Sequence, residues 1–435
     1  MDAGDLIDLD ITDVAHGGVF VGRHEGRVVF VPDAIPGERV RVRLDEPGAG
    51  AADTRRFRRG EVVDVVDASP HRRRHVWRQA DVDVPPELRP GGADFGHIAL
   101  EHQRGLKERV VHDALRRIGR LDVPVTIEAA HAGRDTVGET TEGTAWRTRV
   151  GLHVDADGRI GPFAARSHRV IEVDELPLAT AGVERAALLP RTAPPGRIEL
   201  VQPADGRVRV VVRPDSPRGS RRGPADPAAR EVVVERAGGR AFRVDAGGFW
   251  QVHRLAAETL TDAVGDALRD AGVDPEAWHL DLYGGVGLLA AAVGAAGGPA
   301  TRVTSVESDP RATEHAGENL AEWVGARAGA GRVDRWLAGV EQTASVAQRE
   351  RLRRGVVVLD PPRAGAGREV VQSLARLEPR TIVYVACDPV ALARDLATFR
   401  DLGYETHGVR AIDLFPNSHH VETIAALTRA DAPRG

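Results

Sequence analysis

The first 67 residues alternate apolar and polar positions in short runs, and glycine turns separate these runs. Asp5 to Val14, Val19 to Arg23 and Arg27 to Val31 show the period of two that is typical of half-buried strands. Glu38 to Leu44 and Gly60 to Val66 add two further strands to the set. Five short strands in so few residues predict a small closed β-barrel, a class that often binds single-stranded nucleic acid.

Residues 68–244 predict a mostly β middle domain that contains one clear helix. Apolar residues recur at helical spacing from His97 to Arg120, and we expect this helix to pack on the domain that follows. From Trp146 to Val244 the pattern is mostly strand-like. Pro214 to Arg230 interrupts it with a stretch rich in Pro, Gly, Arg and Ser, which predicts a mobile loop.

Residues 245–435 change character, because uniformly apolar strands now alternate with helical stretches. The predicted strands are His279 to Leu282, Arg302 to Val306, Gly355 to Leu359 and Thr381 to Val385. Such alternation is typical of a parallel sheet that helices cover on both faces. The sequence therefore predicts an α/β protein with a C-terminal doubly wound domain, preceded by the barrel and the β-rich middle domain.

Composition narrows the class of protein without deciding its partner. The formal net charge of -5 argues against a wholly basic nucleic-acid protein, but not against local patches such as Arg55 to Arg59, Arg72 to Arg74 and Arg218 to Arg222. The single cysteine excludes an intramolecular disulfide and a multi-cysteine metal site. There is neither a signal-like start nor a long apolar stretch, so we expect a soluble, cytoplasmic protein without membrane contact.

Glycines and an acid follow the first two strands of the C-terminal domain, where ligands bind in open parallel sheets. Tyr283 leads into a glycine-rich turn with Gly285 and Gly287, which lets the backbone pass close under a nucleotide-like ligand. Glu307 ends the next strand, where a carboxylate can accept hydrogen bonds from ribose hydroxyls. By itself this pattern fits nicotinamide cofactors and S-adenosylmethionine equally well.

The next two strands end in residues of a different kind. Asp360 is followed by two prolines, which stop the strand and make a stiff loop. Cys387 precedes Asp388 and Pro389, which suit the N-cap and first position of a helix. A helix N-terminus favours a thiolate over a thiol, so Cys387 is predicted to be a nucleophile.

Taken together, these residues resemble the RNA uracil-5 methyltransferase family. The matching stretches are Phe-Trp-Gln251-Val-His, Asp-Leu-Tyr283-Gly-Gly-Val-Gly, Glu307, Asp360-Pro-Pro-Arg, Val-Ala-Cys387-Asp-Pro and His420-Val-Glu422, in the family's order. Residues 5–67 look like the TRAM barrel that many members carry, with Gly17-Gly18, Phe30-Val31-Pro32 and Pro36-Gly37-Glu38 as the matching positions.

The resemblance implies a role for each matching position. Gln251, Tyr283, Gly285, Gly287, Glu307 and Asp360 would bind S-adenosylmethionine. Cys387 would be the nucleophile and Glu422 the general base, with Arg363 and His420 as supporting groups. The substrate would be a uridine in a loop or single strand of ribosomal RNA, less readily of transfer RNA, and the protein is expected to be a monomer.

Two departures from the family pattern change what is expected. Members with this domain order usually hold an iron–sulfur cluster on four cysteines, but here Pro90-Gly91-Gly92-Ala93 stands for Cys-Gly-Gly-Cys and Leu176 replaces the fourth ligand. We therefore expect neither a cluster nor another metal, and a middle domain held by packing alone. Leu288 replaces an asparagine of the cofactor loop, which predicts altered cofactor affinity.

Two other functions fit parts of the sequence. A nicotinamide-dependent oxidoreductase would use the Gly285-x-Gly287 pattern, but it would leave Asp360, Cys387 and the barrel without a role. A non-catalytic RNA-binding protein on the same scaffold would explain the missing cluster cysteines and Leu288. Both proposed catalytic residues, however, are present.

Overall fold

The computed structural model describes residues 4–45, 57–131, 139–215 and 226–430. Most of the predicted loop Pro214 to Arg230 lies outside these residues, as do Arg55, Arg56 and the cluster Arg218 to Arg222. No described helix combines the length and the apolar character that a membrane crossing requires.

The described strands are β1 Leu6–Ala15, β2 Val19–His24, β3 Arg27–Val31, β4 Arg39–Leu44, β5 Phe57–Asp67, β6 Val125–Ala129, β7 Arg149–Val154, β8 Ile160–Gly161, β9 Gly196–Val201, β10 Arg209–Pro214, β11 Val232–Ala237, β12 Arg240–Asp245, β13 His279–Leu282, β14 Val303–Glu307, β15 Arg327–Ala330, β16 Val356–Leu359, β17 Thr381–Ala386, β18 Tyr404–Asp413 and β19 Glu422–Arg429.

The described α-helices are α1 Leu100–Ala114, α2 Ala181–Leu188, α3 Ala256–Ala271, α4 Leu288–Gly297, α5 Pro310–Asn319, α6 Val333–Thr343, α7 Val346–Arg353, α8 Gly367–Leu377 and α9 Pro389–Asp401. A π-helical turn, Leu115–Gly119, continues α1, and short 3₁₀ turns span Arg78–Ala80, Pro86–Leu88 and Pro227–Arg230.

The N-terminal strands form a closed barrel in the order β1-β2-β3-β5-β4, which confirms the predicted barrel. Its interior is built from the inward-facing aliphatic residues of the alternating strands. Phe95, Ile98 and Leu106 complete the same core from beyond the barrel sequence. The barrel is therefore packed against the following segment rather than separate from it.

The arginine cluster next to the barrel is mainly structural. The Arg72 guanidinium donates to both carboxylate oxygens of buried Glu38, over 2.6 and 2.7 Å. Arg73 donates to the side-chain oxygen of Asn417 over 2.5 Å. Both guanidinium groups are thus occupied within the protein, which removes them from the phosphate contacts that the sequence suggested for this cluster.

The middle segment contains two small antiparallel sheets, ordered β10-β9-β7-β8 and β11-β12. Helix α2 lies within the stretch that the pattern described as mostly strand-like. Ala93 and Leu176, which stand where the resemblance expects cluster cysteines, lie in one hydrophobic cluster with Trp77 and Trp146. Among the described residues, no three His, Cys, Asp or Glu side chains are grouped to hold a metal.

The large sheet has the order β15-β14-β13-β16-β17-β19-β18-β6. The strands β13, β14, β16 and β17 are mutually parallel, as predicted. β19 instead runs antiparallel to β17, and β18 antiparallel to β19. β6 joins the far edge parallel to β18, so the middle segment extends the C-terminal sheet.

Helix α1 packs on the same sheet, and a buried ion pair fixes it there. The ammonium group of Lys107, the only lysine, donates to Asp413 Oδ1 over 2.5 Å and to the Phe415 carbonyl over 3.0 Å. The two side chains are 1% and 0% exposed. Because Asp413 ends β18, this pair ties α1 to the loop between β18 and β19.

Lys107→Met should destabilise the protein by about 3 kcal/mol, because it leaves the buried Asp413 carboxylate without its main partner. Arg117→Met is the control, since Arg117 pairs with Asp113 on the surface next to the same helix, and surface pairs contribute at most about 1 kcal/mol. Urea unfolding measures both. Equal losses in the two variants would contradict the role given to Lys107.

Candidate active site

A cavity of about 1820 Å³ opens at the carboxyl ends of β13, β14, β16 and β17. The strand order reverses between β13 and β16, and crevices at such switch points hold ligands in doubly wound sheets. Seven of the predicted site residues line this cavity: Gln251, Tyr283, Gly285, Glu307, Asp360, Cys387 and Glu422. The structure thus brings together residues that lie up to 171 positions apart.

The turn after β13 has a backbone that approaches the cavity closely. Tyr283 and Gly285 have φ values of 65° and 53°, in the left-handed region that favours glycine. A Cβ on Gly285 would meet no atom within 4 Å, whereas a Cβ on Gly284 would lie 2.0 Å from Ser305 Oγ. Gly284 is therefore required by packing, while Gly285 borders open space for a ligand.

Glu307 is held at the end of β14 by hydrogen bonds from the loop around it. Its carboxylate accepts from Gly285 N over 3.2 Å, from Asp309 N over 2.7 Å and from Ser308 Oγ over 2.9 Å. These bonds orient the carboxylate beside the glycine turn. The carboxylate lines the cavity from there, the position predicted for a group that accepts ribose hydroxyls.

Two further carboxyl groups lie under the turn. Asp281 is fully buried, and its Oδ2 accepts from Ala290 N and Ser305 Oγ, each over 3.1 Å, while its Oδ1 has no partner among the described residues. Burial raises the pKa of Asp281 to about 7, and burial together with Asp281 raises the pKa of Asp360 to about 7. The protein thus holds acids that a positively charged ligand would stabilise as carboxylates.

The register of β17 and β19 places Cys387 opposite Glu422. Ala386 pairs with Thr423 as the last pair of that antiparallel ladder, and Thr423 Oγ1 donates to the Ala386 carbonyl over 2.6 Å. Continuing this register by one step brings Cys387 next to Glu422, in agreement with the effect of the Glu422 charge on the thiol. Both side chains line the cavity, so a thiol and a carboxyl group face one ligand space.

The electrostatics of the thiol differ from the expectation. α9 does begin at Pro389 with Asp388 as its cap, since Asp388 Oδ1 accepts from Ala391 N over 2.8 Å. Burial, with the negative charges of Glu422 and Asp360, nevertheless raises the pKa of Cys387 to about 12. In the free protein these effects outweigh the helix terminus, and the thiol is protonated at neutral pH.

Arg363 is the cation that opposes this shift, because it lowers the pKa of Cys387. Its guanidinium lies 3.2 Å from Nε2 of His420. Burial, with the positive charges of His419 and Arg363, lowers the pKa of His420 to about 3. A neutral His420 therefore accepts from Arg363 and holds the guanidinium at the cavity.

Glu422 is 5% exposed, and its Oε1 has no partner among the described residues. Burial, together with the nearby Asp360, raises the pKa of Glu422 well above its usual range. Glu422 thus binds a proton more tightly than an exposed glutamate does, which suits a group that takes up a proton during a reaction.

Gln251 and Gly287 differ in whether they reach the cavity. Gln251 lines it beside Phe249, an aromatic side chain that is 72% exposed. Gly287 does not line it; with φ of 90° it is the residue before α4, and a Cβ there would approach Leu320. Its expected part in cofactor binding stays a prediction.

Sequence reasoning missed the residue that anchors the loop before Glu422. Asn417 is fully buried with φ of 66°. Its backbone N–H donates to Gln103 Oε1 over 2.8 Å, and its side-chain amide donates to the carbonyls of Glu142 and Gly143. An asparagine directly after a proline is the one signal for such a turn, since asparagine tolerates positive φ.

Comparisons with known proteins agree with this geometry. Residues 347–430 match the family described as tRNA (Uracil-5-)-methyltransferase, and residues 3–65 match the TRAM domain. A Streptomyces avermitilis protein named as an RNA methyltransferase is 38% identical, with 98% of this chain and 99% of that protein covered. A Bifidobacterium longum protein of the same description is 35% identical, with 97% and 96% covered.

Among solved structures, the chain is similar to the Pyrococcus abyssi tRNA (uracil-54, C5)-methyltransferase in complex with S-adenosyl-L-homocysteine. The TM-score is 0.65 at 21% identity, with 97% of this chain and 100% of that chain covered. At this identity the likeness concerns the fold, and it extends over all three parts of the chain.

Alkylation of Cys387 tests the charges around the thiol. The rate at pH 8 should rise in Glu422→Gln, because removing a negative charge lowers the thiol pKa and increases the thiolate fraction. Glu369→Gln is the control. Glu369 is an exposed residue of the same cavity, and its charge does not contribute to the raised pKa of Cys387. Intact mass after iodoacetamide reports Cys387 alone, the only cysteine.

In the unaltered protein the same rate should still be rising above pH 10, since the thiol pKa is about 12. A plateau near pH 9, or equal rates in Glu422→Gln and the unaltered protein, would contradict the assigned environment.

Proposed function

This chain belongs to the RNA methyltransferases that combine a TRAM domain with a tRNA (uracil-5-)-methyltransferase domain, and we propose that it methylates carbon 5 of a uridine in RNA. The methyl donor is S-adenosylmethionine, and the reaction proceeds through a covalent bond to Cys387. The observation that carries this proposal is the facing pair Cys387 and Glu422, in one cavity with the glycine turn and Glu307.

The residues present fit S-adenosylmethionine, which supplies an electrophilic methyl group on a positively charged sulfur. Glu307 offers its carboxylate to ribose hydroxyls, and Gly285 leaves open space above the turn. Asp360 and Asp281 have raised pKa values that a cation in the cavity would lower. Gln251 and Tyr283 line the same space as further contacts.

Cys387 has to do what the uracil ring cannot do unaided. Carbon 5 of uracil is too weak a nucleophile to accept a methyl group, but addition of the thiolate to carbon 6 makes the ring an enolate. Its carbon 5 can then take the methyl group from the sulfonium, which leaves S-adenosylhomocysteine. The thiol must lose its proton to solvent before it adds. Arg363 favours that loss, and His420 holds Arg363 in place.

Glu422 then removes the proton from carbon 5, and the bond between carbon 6 and sulfur breaks. Its position opposite Cys387 places the base next to the ring that the thiol has attacked. Its raised pKa means that the carboxylate is a stronger base than an exposed glutamate. The proton that leaves carbon 5 is thus taken by a group with high affinity for it.

The target base must leave its stack to enter the cavity, so a loop or single-stranded uridine is the substrate. Phe249 stands exposed beside the cavity, where an aromatic ring can stack on an unstacked base. The barrel supplies a second RNA-binding element. The preference for ribosomal over transfer RNA rests on the domain order and the replaced cysteines, whereas the Pyrococcus abyssi protein acts on transfer RNA.

A scaffold that binds RNA without catalysis is the remaining alternative. It predicts RNA binding with no covalent complex and no methyl transfer. The facing thiol and carboxyl group favour the enzyme, because a scaffold that only binds RNA does not require two buried groups with raised pKa values at one position.

Glu422→Gln should accumulate an RNA–protein adduct when the protein is mixed with total RNA and S-adenosylmethionine. Methyl transfer can still occur, but without the base the carbon-5 proton stays and the sulfur cannot leave. The adduct should survive denaturing electrophoresis. Sequencing the RNA in it identifies the substrate as ribosomal or transfer RNA, together with the modified uridine.

Cys387→Ala should form no adduct and transfer no methyl group, while S-adenosylmethionine still binds by calorimetry. Glu350→Gln should turn over without accumulating adduct, because Glu350 is exposed on α7 and does not line the cavity. The proposal fails if Glu422→Gln binds S-adenosylmethionine and RNA normally yet never traps RNA.

A further inference from the structure

A second cavity, of about 530 Å³, lies in the middle segment beside the strand β7. Its size falls within the roughly 300–1000 Å³ that small-ligand pockets span. Phe163 and Leu176 supply aromatic and apolar walls, and the backbone of Gly91 and Gly92 forms part of the lining. A Cβ on Gly92 would meet no atom within 4 Å, so this backbone borders open space.

The aromatic wall is built for stacking. The rings of Phe163 and His153 lie parallel, with centroids 3.5 Å apart and an interplanar angle of 14°. Burial, together with the positive charge of Arg197, lowers the pKa of His153, which keeps its ring neutral. Flat neutral rings of this kind are the surfaces on which unstacked nucleobases bind in single-stranded RNA complexes.

The charged side chains of the lining are arginines. Arg147 and Arg166 line the cavity, and no Asp or Glu is among its described lining residues. Arg166 pairs with Glu61 of the barrel. Arg147 makes no ion pair with a described carboxylate; burial, with the positive charges of Arg197 and Arg363, lowers its pKa. A half-buried guanidinium that no described carboxylate pairs with can bind an anionic group of a ligand.

Arg147 also lines the catalytic cavity, so the two cavities meet at this side chain. A strand whose uridine enters the catalytic cavity therefore passes Arg147 on its way to the second cavity. An aromatic wall, an apolar floor and a cationic edge match a nucleotide, which has a flat base and an anionic phosphate.

We propose that the second cavity binds an unstacked nucleotide of the same RNA strand, close to the target uridine. Its base lies against Phe163, and its phosphate lies near Arg147. This inference rests on the proposed function, since it assumes that RNA enters the catalytic cavity. The second cavity would contribute to RNA selectivity without contacting the reacting atoms.

Ser167 gives the sharpest test, because it is exposed, lines the cavity and can be changed without disturbing the core. Ser167→Glu should weaken binding of a fluorescein-labelled single-stranded RNA dodecamer of mixed sequence by roughly fivefold at low salt. The slope of log affinity against log salt should fall by about 0.7. Ser167→Gln, of equal size but neutral, should bind like the unaltered protein.

Phe163→Ala should weaken the same binding by about tenfold with an unchanged salt slope, because it removes stacking and no charge. Fluorescence anisotropy of the full chain measures all variants. Calorimetry with S-adenosylmethionine checks that each variant is folded and keeps its catalytic cavity.

The outcomes separate this inference from the proposed function. RNA binding that Ser167→Glu and Phe163→Ala leave unchanged would overturn the second site while the methyltransferase stands. Phe163→Ala could instead lose the binding of free uridine monophosphate while its RNA affinity stays unchanged. That result would assign the cavity to a small molecule and would also overturn the second RNA site. Absence of RNA binding by the unaltered protein would overturn both.

Discussion

Three carboxyl groups and a thiol share one enclosed space at the edge of the large sheet. Asp281, Asp360, Glu422 and Cys387 all have raised pKa values, mainly because burial disfavours their charged forms and also because each lies near at least one further acidic group. Arg363 is the cation that acts on the thiol from the protein side. A sulfonium ligand would add a positive charge next to these acids. In the proposed reaction the glycine turn and Glu307 hold that ligand, and the ends of β17 and β19 hold Cys387 and Glu422.

The rest of the chain keeps these groups in position. Lys107 holds the end of β18, Asn417 holds the loop before Glu422, and both connect to α1 or its surroundings in the middle segment. The same segment adds β6 to the sheet and Phe95 to the barrel core. Barrel, middle segment and catalytic sheet thus share packing, so RNA that contacts the barrel or the second cavity is held by the body that carries the thiol.

Local sequence patterns were sufficient to predict much of the fold and of the candidate site. The five barrel strands and the four parallel strands were predictable because alternating or uniform apolar runs report burial directly. Five of the seven site residues in the cavity lie at the ends of parallel strands, which meet at one edge, whereas Gln251 precedes α3 and Glu422 begins the antiparallel strand β19. The joining of β6 and the role of Asn417 depend on partners hundreds of residues away, and the antiparallel direction of β19 depends on its pairing with β17 and β18; no local pattern encodes these. The raised pKa of the thiol could not be predicted for a similar reason: the helix terminus is local, whereas the burial and the opposing carboxyl groups come from the packing of other strands.

The acids of the site hold protons that a positively charged ligand is expected to expel. Calorimetry at pH 7 in two buffers of different ionisation enthalpy measures proton release on binding. Asp281 and Asp360 have pKa values of about 7, so each is partly protonated there, and a nearby cation lowers those values. S-adenosylmethionine should release roughly half a proton or more. S-adenosylhomocysteine, whose sulfur is neutral, should release much less. Equal release by the two ligands would contradict the account.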